Sequence, residues 1–422
     1  MIETFVAARR TRAEQAWNLS DEIVVVGAGV PIGKPGGFDQ CYPYTPHPQY
    51  RWLTESKRPG SIVAFDPRSG WTHFVEPLGE RERVWDGEPE IPAGEPLDTF
   101  PAWLEARKGR RTAMLGSRVE GVADDADFTK AMVVALDHER RKKDEHELGL
   151  MRRAAVATAA GYEAAAAFIR PGVTERQIQV ELETAFFRAG ADGTGYASIV
   201  GTGSNSRIFH FTPGAKVVAA NDLVLIDAGA QVDDYVIDVT RTYTAKGRWE
   251  GKQADVRQIV RNAQEAMFAH CRVGHKWSDG HRAAAIVIAQ GLIDLGLAKG
   301  SAEGFCDSGA IALFFPHGGG HAVGLGVRDS GGAMPGAPSE PMMVCGVNLR
   351  VDLPMEAGYV MTVEPGLYFI PALLEKAENR EKFADVNWSA VDGWLDFGGV
   401  RLEDNLLVTS GDPENLTVAI PW

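Results

Sequence analysis

Residues 223–243 read LVLIDAGAQVDDYVIDVTRTY. Two apolar runs, LVLI and YVI, each end in an acid, Asp227 and Asp238. Burying an unpaired carboxylate is expensive, so an apolar strand tolerates one only where something positive compensates it. The two acids are 238 − 227 = 11 residues apart with the turn AGAQVDD between them, which predicts a hairpin that brings them together. One buried acid is satisfied by a helix N-terminus or an arginine. Two facing acids ask for more positive charge.

The same anomaly recurs downstream. Glu364 follows the strand pattern YVMTV and precedes Pro-Gly, and Glu403 lies in GGVRLEDNLLV, read here as one strand. In PHGGGHAVGLG, glycines separate His317 from His321 and let backbone and ligand approach closely. Each motif is weak alone, since a Glu-Pro-Gly is usually a turn and a His-Gly-Gly-Gly-His is often only a glycine-rich loop. Together, four carboxylates and one histidine carry a formal charge of −4, which two divalent cations neutralise. Oxygen-rich ligation with a single histidine suits manganese, with cobalt or zinc as alternatives, better than copper.

Around this stretch the chain changes texture. From Asp21 to about Gly116, short apolar strands (EIVVVGAGV, SIVAFDP, THFVEP, TAMLG) alternate with Gly/Pro-rich turns, the pattern of a small α/β domain. The charged run DHERRKKD, residues 137–144, reads as a solvated cluster that opens a helix ending at Pro171-Gly172. A second amphipathic helix starts at Thr174 and is capped by Gly190. Strands, helices and strands then follow, which predicts an α+β fold with antiparallel sheet, divided into domains 1–142 and 143–422. VVVGAGVPIG tempts a dinucleotide reading, but its spacing is G-x-G-x-x-x-G and Pro31 falls where a binding helix would propagate.

Composition excludes several function classes. With 45% hydrophobic and 24% charged residues, 422 residues have ample material for a core. Lys+Arg 43 against Asp+Glu 57 gives a net charge of −14, which repels nucleic acid and anionic lipid. The opening segment lacks a secretory apolar core, no run is long enough to span a membrane, and the four scattered cysteines read as reduced thiols. The expectation is a cytoplasmic protein without nucleic-acid or membrane partners.

On DAGA, DVTRTY, HGGGH, VEPGLYF and RLED, the chain from Asp144 to Val408 resembles the pita-bread metallopeptidases, which include prolidase, aminopeptidase P and methionine aminopeptidase. The resemblance implies a pita-bread catalytic domain behind a creatinase-like α/β amino-terminal domain that helps form a homodimer. It places Asp227, Asp238, His321, Glu364 and Glu403 on the family's five metal ligands, with Asp238 and Glu403 bridging two ions. It also implies attack by a metal-bridging hydroxide on the bond to a leaving proline, with Glu364 shuttling the proton and His210 and His317 at the scissile region. Tyr196 is carried over as an aromatic wall, and Arg401 as a cation for carboxylates or a substrate terminus. The segment between Glu364 and Glu403 looks most like bacterial prolidases, which favours Xaa-Pro dipeptides. Xaa-Pro aminopeptidase action on longer peptides and a non-catalytic scaffold are the rivals.

Two positions depart from the family. Seven residues after His321, where most members carry a second histidine, stands Arg328. Arg350 is kept, but the arginine that prolidases often have three residues later is Leu353. Arg328 is the expected clamp for a dipeptide's terminal carboxylate, because a guanidinium binds a carboxylate bidentately, and Arg51 is the alternative cation.

Overall fold

The computed structural model describes residues 2–332, 334–335, 342–349 and 352–422. They divide into two compact units with a boundary between Arg140 and Arg141.

The first unit is built on a five-stranded sheet. Its order is Glu95–Pro96, Gly70–Val75, Ile62–Asp66, Ile23–Gly27 and Thr112–Gly116, with Ile23–Gly27 antiparallel to Ile62–Asp66 and parallel to Thr112–Gly116. Ile23–Gly27 and Ile62–Asp66 are buried along their whole length, as continuous apolar runs require. Val25, Ile62, Ala64, Phe74 and Phe100 form a core on one face. After Gly27 the chain turns through Gly29, at φ +88°, and the next helix is Pro48–Thr54. The glycines therefore make a strand exit and no phosphate-binding helix follows them.

The charged run departs from expectation. Its first five residues end the helix Ala126–Arg141, and only Asp144 caps the next helix. Nor is the run solvated, for Arg140, Arg141 and Lys143 are buried. Arg141 donates to the carbonyls of Ser330 and Gly331, and Lys143 Nζ lies 2.9 Å from the buried Asp329. For Arg141 and Lys143 the compensating partners are distant in sequence and invisible to a local charge pattern, whereas Arg140 pairs with Asp137 within the run.

In the second unit, helices Glu145–Phe168 and Glu175–Arg188 both start with capping boxes, Asp144 with Glu147 and Thr174 with Gln177. They pack so closely that a Cβ on Gly161 would stand 2.2 Å from the Phe186 ring. Helices Gly251–Phe268 and Trp277–Asp294 make a second packed pair. Short antiparallel sheets complete the unit: Ile199–Thr202 with Leu223–Asp227 and Thr240–Thr244, Val360–Val363 with Asp404–Leu407 and Glu414–Asn415, and Gly366–Tyr368 with Gly399–Arg401. The architecture is α+β. Among the described residues, no helix is long and apolar enough to cross a membrane.

Candidate metal centre

The stretch 223–243 folds as a hairpin within a hairpin. Asp227 ends its strand and pairs with Thr240, while the inner pair Ala230–Val232 and Tyr235–Val236 turns at Asp233 and Asp234, both at positive φ. Asp238 is not inside a strand. It sits in the irregular link Ile237–Val239, where Asn405 accepts from its N–H at 3.0 Å and donates to its carbonyl at 2.5 Å. Gly229 makes this link possible, since a Cβ there would lie 1.5 Å from the Ile237 carbonyl oxygen. Glu403 occupies a similar break, between Gly399–Arg401 and Asp404–Leu407, and its N–H donates to the Thr240 carbonyl. Both interruptions release carboxylates from the strict alternation of a strand.

Five acids and histidines named from the sequence meet on one cavity of about 790 Å³, lined by Asp227, Asp238, His321, Glu364 and Glu403 among others. One donor atom each from Asp238, His321 and Glu403 lies within 4.8 Å of the other two. His321 Nε2 is 3.3 Å from Asp238 Oδ2 and 3.9 Å from Glu364 Oε1. Thr362 Oγ1 accepts from the His321 N–H, and the Glu364 N–H donates to Gly319, tying the HGGGH loop to the strand Val360–Val363. His321 Nδ1 lies 3.0 Å from the Ala322 carbonyl, which leaves Nε2 facing the acids.

Burial dominates the electrostatics. It drives the carboxyl groups of Asp227 and Glu403 above the usual range, against the pull of Arg401, and raises Glu364 to about 7. Burial opposes protonation of His321, but its hydrogen bond to Asp238 and the charges of Asp238 and Glu364 together raise it. The charge of these carboxylates is thus undercompensated by protein alone. Glu403 Oε1 is buried without a hydrogen-bond partner, while Oε2 accepts from Thr240 Oγ1 at 2.7 Å. Closely set oxygen donors, one imidazole nitrogen and an orphaned carboxylate oxygen fit hard divalent cations.

The other expected residues fall into three groups. Tyr196 is more than a wall, for its hydroxyl contacts Asp227 Oδ1 at 2.7 Å and Asp238 Oδ1 at 2.5 Å. Arg401 is buried and holds Asp227 Oδ2 at 2.5 Å, so its guanidinium serves a carboxylate of the centre. His317 lines the cavity with Nε2 2.9 Å from the Tyr368 hydroxyl, and burial lowers its pKa to about 3, so it is neutral. His210 and Arg328 line the cavity with exposed side chains. Arg51 is buried in the first unit with its guanidinium 2.5 Å from Glu55, and Arg350 lies outside the described residues.

Tyr368, Thr240 and Asn405 were not singled out from the sequence. Tyr368 joins His317 to Arg401, Thr240 joins Arg401 to Glu403, and Asn405 shapes the Asp238 link. Asn405 carried a signal, a polar residue in the apolar run NLLV. Burying an amide without partners is costly, as it is for an acid.

The chain is similar to known proteins along most of its length. The model of metallopeptidase family M24 matches residues 149–410. An Xaa-Pro dipeptidase of Stenotrophomonas maltophilia is 32% identical over 404 residues, covering 90% of this chain and 88% of that protein. A probable Xaa-Pro aminopeptidase of Pyrenophora tritici-repentis is 30% identical over 400 residues, 89% of this chain and 84% of that one. The solved structure of an aminopeptidase from Pseudomonas aeruginosa superposes with a TM-score of 0.77 at 26% identity, covering 99% of this chain and 95% of that one. That likeness extends over both units and agrees with a pita-bread fold behind an amino-terminal α/β domain.

Proposed function

The chain belongs to metallopeptidase family M24, and from that premise we propose that it hydrolyses the Xaa-Pro bond of dipeptides with two divalent cations, manganese first among them. The observation that carries the reading is the convergence of Asp238, His321 and Glu403 around an orphaned carboxylate oxygen, with Asp227 and Glu364 on the same cavity. Asp227, Asp238 and Glu403 would hold one cation and Asp238, His321, Glu364 and Glu403 the other. When bound, the cations supply Lewis acidity and a water of lowered pKa.

The chain's own groups do the rest. Glu364, on the cavity wall beside His321, is placed to take a proton at a carboxylate oxygen and return it to the leaving proline nitrogen. Arg401 and Tyr196 hold Asp227 from two sides and fix its direction. Neutral His317, 3.8 Å by Nδ1 from Glu364 Oε2, orients the substrate without adding positive charge beside the proton carrier. A bond to proline has no N–H, so a site that recognises the scissile amide through its carbonyl rather than that donor suits this substrate.

Arg328 is the proposed clamp for the dipeptide carboxylate, since it is exposed on the cavity wall while the Arg51 guanidinium is engaged by Glu55. The cavity's size favours a second reading, an Xaa-Pro aminopeptidase, because about 790 Å³ leaves room beyond a dipeptide. Turnover of Ala-Pro, Leu-Pro and matching Xaa-Pro-Yaa tripeptides with manganese separates the two. The dipeptidase reading expects dipeptides to be preferred and Arg328→Ala to raise their KM about tenfold or more with kcat kept. Tripeptides favoured by kcat/KM, with dipeptide KM unmoved in the variant, would establish the aminopeptidase instead.

A further inference from the structure

Outside the metal centre the second unit holds a pair of facing thiols. Cys306 lies near the end of helix Ala302–Asp307, and Cys345 stands at the tip of the hairpin formed by Met342–Val344 and Val347–Leu349. Each thiol shifts the proton affinity of the other, as groups set side by side do. The backbones are in contact as well, since a Cβ on Gly346 would meet the Gly309 carbonyl oxygen at 2.8 Å. Arg282 secures the pair from helix Trp277–Asp294, with Nη1 3.8 Å from Cys345 Sγ and 2.8 Å from Asp307 Oδ1.

The two sulfurs are inequivalent. The neighbouring Cys306 thiol outweighs the burial of Cys345 and, with the Arg282 charge, holds its thiol below the usual range, while the same neighbourhood and burial push Cys306 up. Cys345 keeps 8% of its surface exposed, whereas Cys271 and Cys306 are fully covered, so of these three it is the one a small oxidant reaches first. Cys271, buried without such a neighbour, is pushed up to about 12. Cys345 also has φ +50°, a conformation that fits the tight tip.

We propose that Cys345 and Cys306 form a hydroperoxide-responsive dithiol that closes to an intramolecular disulfide. An electron pair on Cys345 sulfur attacks one peroxide oxygen, the O–O bond breaks, and the departing hydroxide takes a proton to leave as water. Cys345 is then a sulfenic acid. Cys306 sulfur attacks it, the S–O bond breaks, and the hydroxyl departs with the Cys306 proton as a second water. Two thiols have lost two electrons to one peroxide. The bond ties the helix to a hairpin that supplies Val347, Asn348 and Leu349 to the cavity wall, so oxidation reaches the substrate site without touching a metal ligand.

The test uses the full-length, reduced protein and one equivalent of hydrogen peroxide. Remaining thiols are alkylated, and peptides from non-reducing digestion are weighed. A linked Cys306/Cys345 peptide, lighter by two hydrogens, should form at least about tenfold faster than Cys271 is modified, and dithiothreitol should reverse it. In Cys306→Ser, Cys345 should accumulate as a sulfenic acid captured by dimedone. Wild-type protein whose Cys345 reacts no faster than Cys271, or is oxidised without becoming linked to Cys306, overturns the proposal. Because the readout is the thiols themselves, its failure leaves the peptidase reading untouched, and the reverse holds.

Discussion

Replacing Arg401 by methionine tests how the metal centre is compensated. The guanidinium is buried and donates to Asp227 Oδ2 at 2.5 Å, Thr240 Oγ1 at 3.0 Å and the Tyr368 hydroxyl at 3.1 Å. Methionine keeps the apolar stem and removes all three donors. Stranding a buried carboxylate costs about 3–5 kcal/mol, and each neutral hydrogen bond adds about 1 kcal/mol. In the metal-free protein the second unit should therefore lose about 5 kcal/mol. Most of the Asp227 share, about 3 kcal/mol, should return when manganese is added, because a divalent cation then faces Asp227. Amide hydrogen exchange of the strand Leu223–Asp227 reads the opening free energy of this unit alone. The cycle with Asp227→Asn isolates the pair. If Arg401→Met costs the same, within about 0.5 kcal/mol, in the Asp227→Asn background as in the wild type, the two side chains are uncoupled and the reasoning fails.

Other perturbations address separate links. Asn405→Ala frees the Asp238 peptide at both its N–H and its carbonyl, and should weaken metal binding by about 10–100-fold in a competition titration against a chelator. Lys143→Met removes the cation beside Asp329, whose side chain is 1% exposed and keeps the N–H groups of Leu325 and Ser330, and should cost about 3 kcal/mol by denaturant titration, with Asp329→Asn added to it restoring part of the loss. Asp66 is held below the usual carboxylate range by hydrogen bonds from Arg110 and Arg107, so its stabilisation is present above the unfolded pKa near 4 and fades as pH falls through it. Asp66→Asn should thus destabilise the first unit by about 3 kcal/mol at pH 7, and the melting-temperature gap to wild type should shrink toward pH 2.

Much of this molecule was open to reading one residue at a time. The capping boxes at Asp144 and Thr174, the turn at Gly190 and the short apolar strands follow from interactions over three or four residues, which a linear text contains. So does the anomaly of acids in apolar runs, because the cost of burying a charge belongs to the side chain itself. What compensates that charge is another matter. The Asp227 carboxylate depends on Arg401, 174 residues away, and the backbone that aims Asp238 depends on Asn405, 167 residues away. The breaks that turn Asp238 and Glu403 toward one cavity arise where separate strands meet, and the buried Arg141 and Lys143 read as surface until their partners are folded against them. Residue types and their local preferences are written in the chain, whereas solvation and charge compensation are properties of neighbourhoods, and neighbourhoods exist only once the chain has folded.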